Sequence, residues 1–159
     1  MTQLFIVSFM FSIEAVNDEE RRDVVHARLR QSNSQLSARL RGMRGTLDEE
    51  DPLQVYATGA DGTLAGGLVG HTQWGWLHVD LLWVDEHHRG AGLGSRLLAR
   101  AEELAGNERG CIGSRVETWD FQAPGFYGKA GYRTVCVTED YPPGITNYLL
   151  VKSLRPQEG

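Results

Sequence analysis

The chain runs Asp80-Leu-Leu-Trp-Val84, Asp85-Glu-His-His-Arg-Gly-Ala-Gly-Leu-Gly94 and Ser95-Arg-Leu-Leu-Ala-Arg-Ala-Glu-Glu-Leu-Ala105 without interruption. An apolar strand enters a turn of alternating glycines, and the turn opens directly into a helix. Leu93, Leu97, Leu98, Ala101, Leu104 and Ala105 fall on one apolar stripe at helical spacing, with Arg96, Arg100 and Glu103 off it. The first amides of a helix lack intrahelical partners and carry the positive end of its dipole, so they attract an anion. Glycines let that anion approach without a side chain in the way. The stretch therefore reads as a phosphate-binding loop.

Spacing narrows the ligand. A kinase-type loop ends in Gly-Lys-Ser/Thr, and here Gly94 meets Ser95 directly. A dinucleotide fingerprint wants a further glycine where Ser95 stands, although Gly90 and Gly92 meet its first two places. The remaining pattern, Arg89-Gly90-Ala91-Gly92-Leu93-Gly94, closely resembles the acetyl-CoA pyrophosphate loop of the GNAT superfamily of N-acetyltransferases, Arg/Gln-x-x-Gly-x-Gly/Ala. A second stretch carries the same resemblance. Glu117-Thr-Trp-Asp-Phe-Gln-Ala-Pro-Gly-Phe-Tyr-Gly-Lys-Ala-Gly-Tyr132 is similar to the family's Asn-x-x-Ala-x-x-x-Tyr-x-x-x-Gly-Phe/Tyr, with Ala123, Tyr127, Gly131 and Tyr132 matching and Asp120 in the place of the asparagine.

Composition agrees with one ordinary soluble domain. The chain has 159 residues, 41% of them hydrophobic and 23% charged, enough to bury a core. A net charge of -5 argues against general nucleic-acid binding, which wants a basic surface. Cys111 and Cys136 cannot build a disulfide framework and have no metal-ligand spacing, so no metal is expected; both read as buried thiols in a reducing, cytoplasmic setting. Leu4 to Ile13 is nearly all apolar, but no Lys or Arg precedes it and it is too short to span a bilayer, so a buried strand is expected rather than a signal or an anchor. One domain over residues 1–154 with a loose tail over 155–159 follows.

In chain order, Asn17 to Glu20 reads as a helix start, and Val25, Leu29, Leu36 and Leu40 keep helical spacing with a break expected near Ser32-Asn33-Ser34. Thr46 to Pro52 reads as an acidic loop. Gln54 to Thr58 and Thr63 to His71 read as a hairpin about Gly59 to Gly62, with a bulge or close backbone approach at Gly66-Gly67. The strand ending at Val84 follows a tight turn near Gln73 to Gly75. Strict alternation puts Trp76, His78, Asp80, Leu82 and Val84 on one face and the apolar Leu77, Val79, Leu81 and Trp83 against helices. Strands over Cys111–Trp119, Tyr132–Thr138 and Thr146–Lys152, with a short helix at Pro124–Lys129, complete an α/β layout. The order matches the GNAT fold: a mixed, mostly antiparallel sheet of six or seven strands with helices on both faces.

The resemblance also implies a chemistry. An amine attacking a thioester must first lose a proton, since an alkylammonium has a pKa of about 10, and a departing thiolate benefits from an acid. In the family a tyrosine at the place of Tyr127 is that acid. Some GNAT enzymes take their base from the strand before the loop, at the positions of Asp80 and His78; Glu117 on the neighbouring strand is a third candidate. Leu82, Trp83 and Val84 are implied to meet the pantetheine arm and Arg89, Gly90, Ala91, Gly92, Leu93, Gly94 and Ser95 the pyrophosphate. The resemblance implies Asp120, Ala123, Phe126 and Lys129 as the remaining cofactor contacts. The implied reaction is acetyl transfer from acetyl-CoA to a small-molecule amine such as a polyamine, amino sugar or antibiotic. Trp74, Trp76 and Trp119 with Asp80, Glu117, Asp120, Glu139 and Asp140 suit a cationic acceptor. A homodimer, common in the family, stays open, as do a protein N-acetyltransferase and a non-catalytic acyl-CoA sensor.

Overall fold

The computed structural model describes residues 13–43 and 47–155. Contacts along the chain divide it into two compact units that meet at Gly42 and Met43. In the first, Asp18 caps α1 (Glu19–Leu36), its carboxylate accepting the Arg21 amide at 3.0 Å. The helix passes the polar triplet where a break was expected, because the Ser34 hydroxyl donates to the Arg30 carbonyl at 2.8 Å. It stops instead at Ser37, whose extended backbone ends α1 and whose hydroxyl accepts the Leu40 amide at the start of α2 (Ala38–Met43). Of the expected first strand, Leu4 to Ile13, only Ile13 is described, and it belongs to no element; the rest lies outside the described residues.

The second unit holds β1 (Asp51–Thr58), β2 (Leu64–Gln73), β3 (Trp76–Val84), α3 (Leu93–Glu103), β4 (Gly113–Trp119), α4 (Pro124–Lys129), β5 (Arg133–Thr138) and β6 (Asn147–Ser153). They form one six-stranded sheet in the order β1-β2-β3-β4-β6-β5, parallel only between β3 and β4 and flanked by helices. The acidic loop is shorter than expected, since β1 begins at Asp51. Arg109, just past α3, recruits that segment: its guanidinium donates to the Asp51 and Pro52 carbonyls, each at 2.9 Å, and pairs with the Asp51 carboxylate at 3.1 Å. One core joins α3 and α4 to the sheet. Leu97, Leu98 and Ala101 of α3 meet Leu68, Leu77, Val79, Val116 and Leu150, together with Tyr127 of α4 and Tyr132. Cys111 is buried as expected, whereas Cys136 is exposed because all of β5 is. Among the described residues no helix is long and apolar enough to cross a membrane.

The alternation expected along β3 fails at one residue. Val69 pairs with Leu81 but Gly70 pairs with Val79, so Asp80 is an extra residue with no partner on β2. Such a bulge reverses which side chains face the core. Leu77 and Val79 point into the core before it, and Leu82 and Val84 pack against the core after it, while Leu81 and Trp83 are 64% and 47% exposed. Gly66-Gly67 give the close approach expected there, a Cβ on Gly66 lying 2.9 Å from the Trp83 carbonyl, and a separate irregularity against β1 leaves Ala65 beside them without a partner. At Gly70 the approach is tighter, with the His78 carbonyl 2.1 Å from where a Cβ would stand. Gly70→Val should therefore force the two strands apart and lower stability by about 1–3 kcal/mol, the usual range for overpacking. Gly128→Ala, which meets nothing within 4 Å, should stay neutral or gain up to about 1 kcal/mol. Urea midpoints of the two variants check the difference.

Candidate active site

At the end of β3, Asp85 caps a single 3-10 turn over Glu86–His88, accepting the His87 amide at 2.9 Å. That bond, with a second from the His87 imidazole Nδ1 at 3.0 Å, holds the Asp85 carboxyl below its ordinary value. Arg89 then folds back on the strand: its amide donates to the Glu86 carbonyl and its Nε to the Val84 carbonyl at 3.0 Å. Arg89 accordingly closes the loop, and its amide is already used. Gly90 and Gly92 follow in the left-handed region, with φ of 79° and 75°, where side chains are strained. Gly92 is the N-cap of α3 and offers no side-chain cap. The amides from Gly90 to Ser95 donate to no carbonyl or side chain among the described residues. This is an open nest of N–H groups at the positive end of an amphipathic helix. Gly94 faces Phe126 of α4 and Val84 of β3, so loop, strand end and α4 converge there.

Beside the nest the parallel strands part. β4 pairs with β3 only from Trp76–Gly113 to Val79–Val116, after which β3 continues to Val84 without it. The opening is a cavity of about 230 Å³ lined by His78, Asp80, Arg115, Val116, Glu117 and Trp119 among others. All three expected base candidates, His78, Asp80 and Glu117, meet here. Glu117 is paired with Arg115 at 3.0 Å. Burial, aided by the nearby His71 and Arg115, pushes the His78 imidazole below its ordinary pKa and keeps it neutral at pH 7. Asp80 is 49% exposed, with Oδ2 at 2.9 Å from Nδ1 of His71. The His71 and His78 rings stack at 4.6 Å with 17° between planes. His71 was missed from the sequence, although the turn at Trp74-Gly75 already sets it opposite His78 once the hairpin register is counted through.

Tyr127 is buried between Phe126 and Tyr132, both meeting it edge-on at 5.0 and 5.6 Å. Burial raises its phenol pKa, so it stays protonated at pH 7. Ala123 is the N-cap of α4, and Lys129 stands exposed at its last turn. Asp120 has a structural bond: its carboxylate accepts the Thr146 amide at 3.1 Å, tying the end of β4 to β6. Asp140 likewise accepts the Gly144 amide within its own loop, and the Trp119 indole donates to the Tyr141 carbonyl. A second cavity of about 300 Å³ shares His78 and Arg115 with the first, its apolar walls being Trp74, Trp76, Leu149 and Val151.

A cleft between parted parallel strands, with an amide nest for an anionic tail at its edge, is the arrangement of an acyl-group transferase. The chain belongs to the Acetyltransferase (GNAT) family, whose model matches residues 13–132, and it is an acetyltransferase. It is 64% identical over 131 residues to blasticidin-S acetyltransferase of Streptomyces morookaense, covering 80% of this chain and 96% of that relative. Among solved structures, an acetyltransferase from Bacillus cereus superposes with a TM-score of 0.75 at 31% identity, covering 92% of this chain and 99% of the other. A nourseothricin acetyltransferase superposes with a TM-score of 0.59 at 27% identity over 66% of each chain.

The depressed pKa of His78 makes a stability prediction. The unfolded chain takes up a proton as pH falls through about 6.5, while the folded histidine resists it, so stability drops on the acid side. His78→Gln should flatten the fall in melting temperature between about pH 7 and pH 5. An unchanged slope would separate His78 from that loss.

Proposed function

We propose that the protein transfers an acetyl group from acetyl-CoA to a primary amine of a small-molecule antibiotic of the blasticidin-S kind. The observation that carries the reading is the 64% identity to a blasticidin-S acetyltransferase over nearly all of that relative. A single acetyltransferase domain over residues 1–154 is part of it, supported by a family match that runs across the Gly42–Met43 boundary.

The loop suits the donor. The free amides from Gly90 to Ser95 form a dipole-backed cradle for a pyrophosphate, and the left-handed Gly92 leaves its mouth open. Leu82, Trp83 and Val84, running on past the last pair with β4, offer backbone groups to an amide-bearing arm. Phe126 beside Gly94 walls that path, with Ala123 as the cap at the start of α4, Asp120 three residues before it and Lys129 in its last turn. When bound, acetyl-CoA supplies the activated acetyl group as a thioester.

Tyr127 is the acid in this reading. A buried, neutral phenol is the donor form at pH 7 and hands its proton to the departing sulfur. The base comes from the strand opening, where Asp80, Glu117 and the neutral His78 line one cavity. Trp74 and Trp76 supply flat apolar walls next to it for the body of the acceptor.

Acetyl-CoA should raise the melting temperature by mass action, and Gly92→Val should abolish the shift while circular dichroism still reports a folded chain. With blasticidin S as acceptor, the wild-type protein should release free CoA. Tyr127→Phe should lower kcat by about 10²- to 10⁴-fold with little change in the KM for acetyl-CoA. Normal turnover by Tyr127→Phe, in an assay limited by chemistry, would remove Tyr127 from its role; no CoA release by the wild-type protein would remove the acceptor.

A further inference from the structure

We propose that His71 is a positioning residue that holds Asp80 in place to take the proton of the attacking amine. The proposal rests on the acetyl-transfer reading above. Its geometry comes from the β2–β3 hairpin. The Trp74-Gly75 turn sets His71 directly opposite His78, and Asp80 is the bulged residue two places on, freed from pairing with β2. Its carboxylate turns back across the hairpin to His71, with Oδ2 at 2.9 Å from Nδ1.

Two contacts immobilise the imidazole. Stacking on His78, 4.6 Å away and 17° from parallel, sets the plane of the His71 ring. The bond to Asp80 then sets its rotation within that plane. A carboxylate only accepts hydrogen bonds, so Nδ1 carries the proton and donates. His71 is set back, with its side chain 20% exposed, whereas Asp80 is 49% exposed and lines the cavity where the strands part. The histidine therefore occupies Oδ2 from behind and leaves Oδ1 toward the cleft. On the other side of β2, the residue opposite His71 is Pro52, which brings no charge. Among the described residues, the other charged groups lining this cavity are Arg115 and Glu117, paired with each other, and His78 is neutral. His71 is thus the hydrogen-bond donor that orients the carboxylate.

In the step itself, an N–H bond of the ammonium breaks and an O–H bond forms at Asp80 Oδ1. The electron pair stays on nitrogen, which is then free to attack the thioester carbon. His71 keeps its Nδ1 proton throughout.

The test compares His71→Phe with His71→Asn. Phenylalanine keeps a ring to stack on His78 but has no donor, while asparagine places an N–H close to where Nδ1 stands. With saturating acetyl-CoA and blasticidin S as acceptor, His71→Phe should lose about ten-fold or more in kcat, less than the roughly 10²- to 10⁴-fold that loss of the base itself costs. Its acetyl-CoA melting shift should be unchanged. The loss should shrink as pH rises toward the pKa of the amine, about 10, where free amine no longer needs a base. His71→Asn should recover most of the activity. Wild-type activity in His71→Phe, a loss that does not vary with pH, or an asparagine variant as poor as the phenylalanine one would each overturn the proposal. Failure of the function reading has a different signature: the wild-type protein itself turns over no amine. The hydrogen bond is then read directly by ¹⁵N resonances of the His71 ring. Protonation at Nδ1 that is lost in Asp80→Ala supports the positioning, and a ring protonated only at Nε2 in the wild-type protein overturns it.

Discussion

The close approach of Gly70 to the carbonyl of His78 governs the geometry of this sheet. A side chain at Gly70 would stand 2.1 Å from that oxygen, so only glycine lets β3 accommodate its extra residue here. Because of that residue, the core-facing set changes from Leu77 and Val79 to Leu82 and Val84. A bulge also bends a strand and increases its local twist. The last pair joining β3 to β4, Val79 with Val116, lies directly before it. One tight backbone contact thus goes together with the face reversal, the strand opening and an aspartate released toward the cavity.

The opening has rigid walls because buried polar groups lock the elements around it. The hydroxyls of Ser114 and Tyr132 share a 2.6 Å hydrogen bond inside the core, and burial drives the Tyr132 phenol pKa well above its ordinary value. Lys152 of β6 reaches Glu102 of α3 and lies 5.7 Å from the centre of the Tyr132 ring. These contacts tie α3, β4, β6 and the end of α4 into one body. Tyr127 is held against Tyr132 in the same cluster. The same body carries the neutral phenol of Tyr127 and the amide nest at the start of α3.

Much of this was legible in the chain. α4 falls on Pro124–Lys129 as expected, and the glycine turn runs from β3 into α3 as its spacing requires. These are local signals: a proline at the helix start, glycines where φ is positive, and leucines at helical period. Alternation along β3 misled after Val79, because a bulge depends on which residue of the next strand comes close, and Asp80 carries no mark of it. The helix break expected at Ser32 to Ser34 lies at Ser37, since a serine can bond back within a helix as well as end one. Cys136 was expected inside because cysteine is usually buried, yet β5 is exposed throughout.

By itself, the amino-acid order determined the motifs and the family resemblance, since an anion loop and a tyrosine helix are written in contiguous residues and their spacing. With that resemblance it also offered Asp80, His78 and Glu117 as base candidates, and the three line one cavity. Only the tertiary structure decided how they stand. His71 enters through cross-strand register, Arg115 takes up Glu117, and Asp120 is tied to Thr146. Two of these partners are distant in the chain, and for Asp80 the meeting with His71 depends on a backbone contact between Gly70 and His78 that no local pattern encodes.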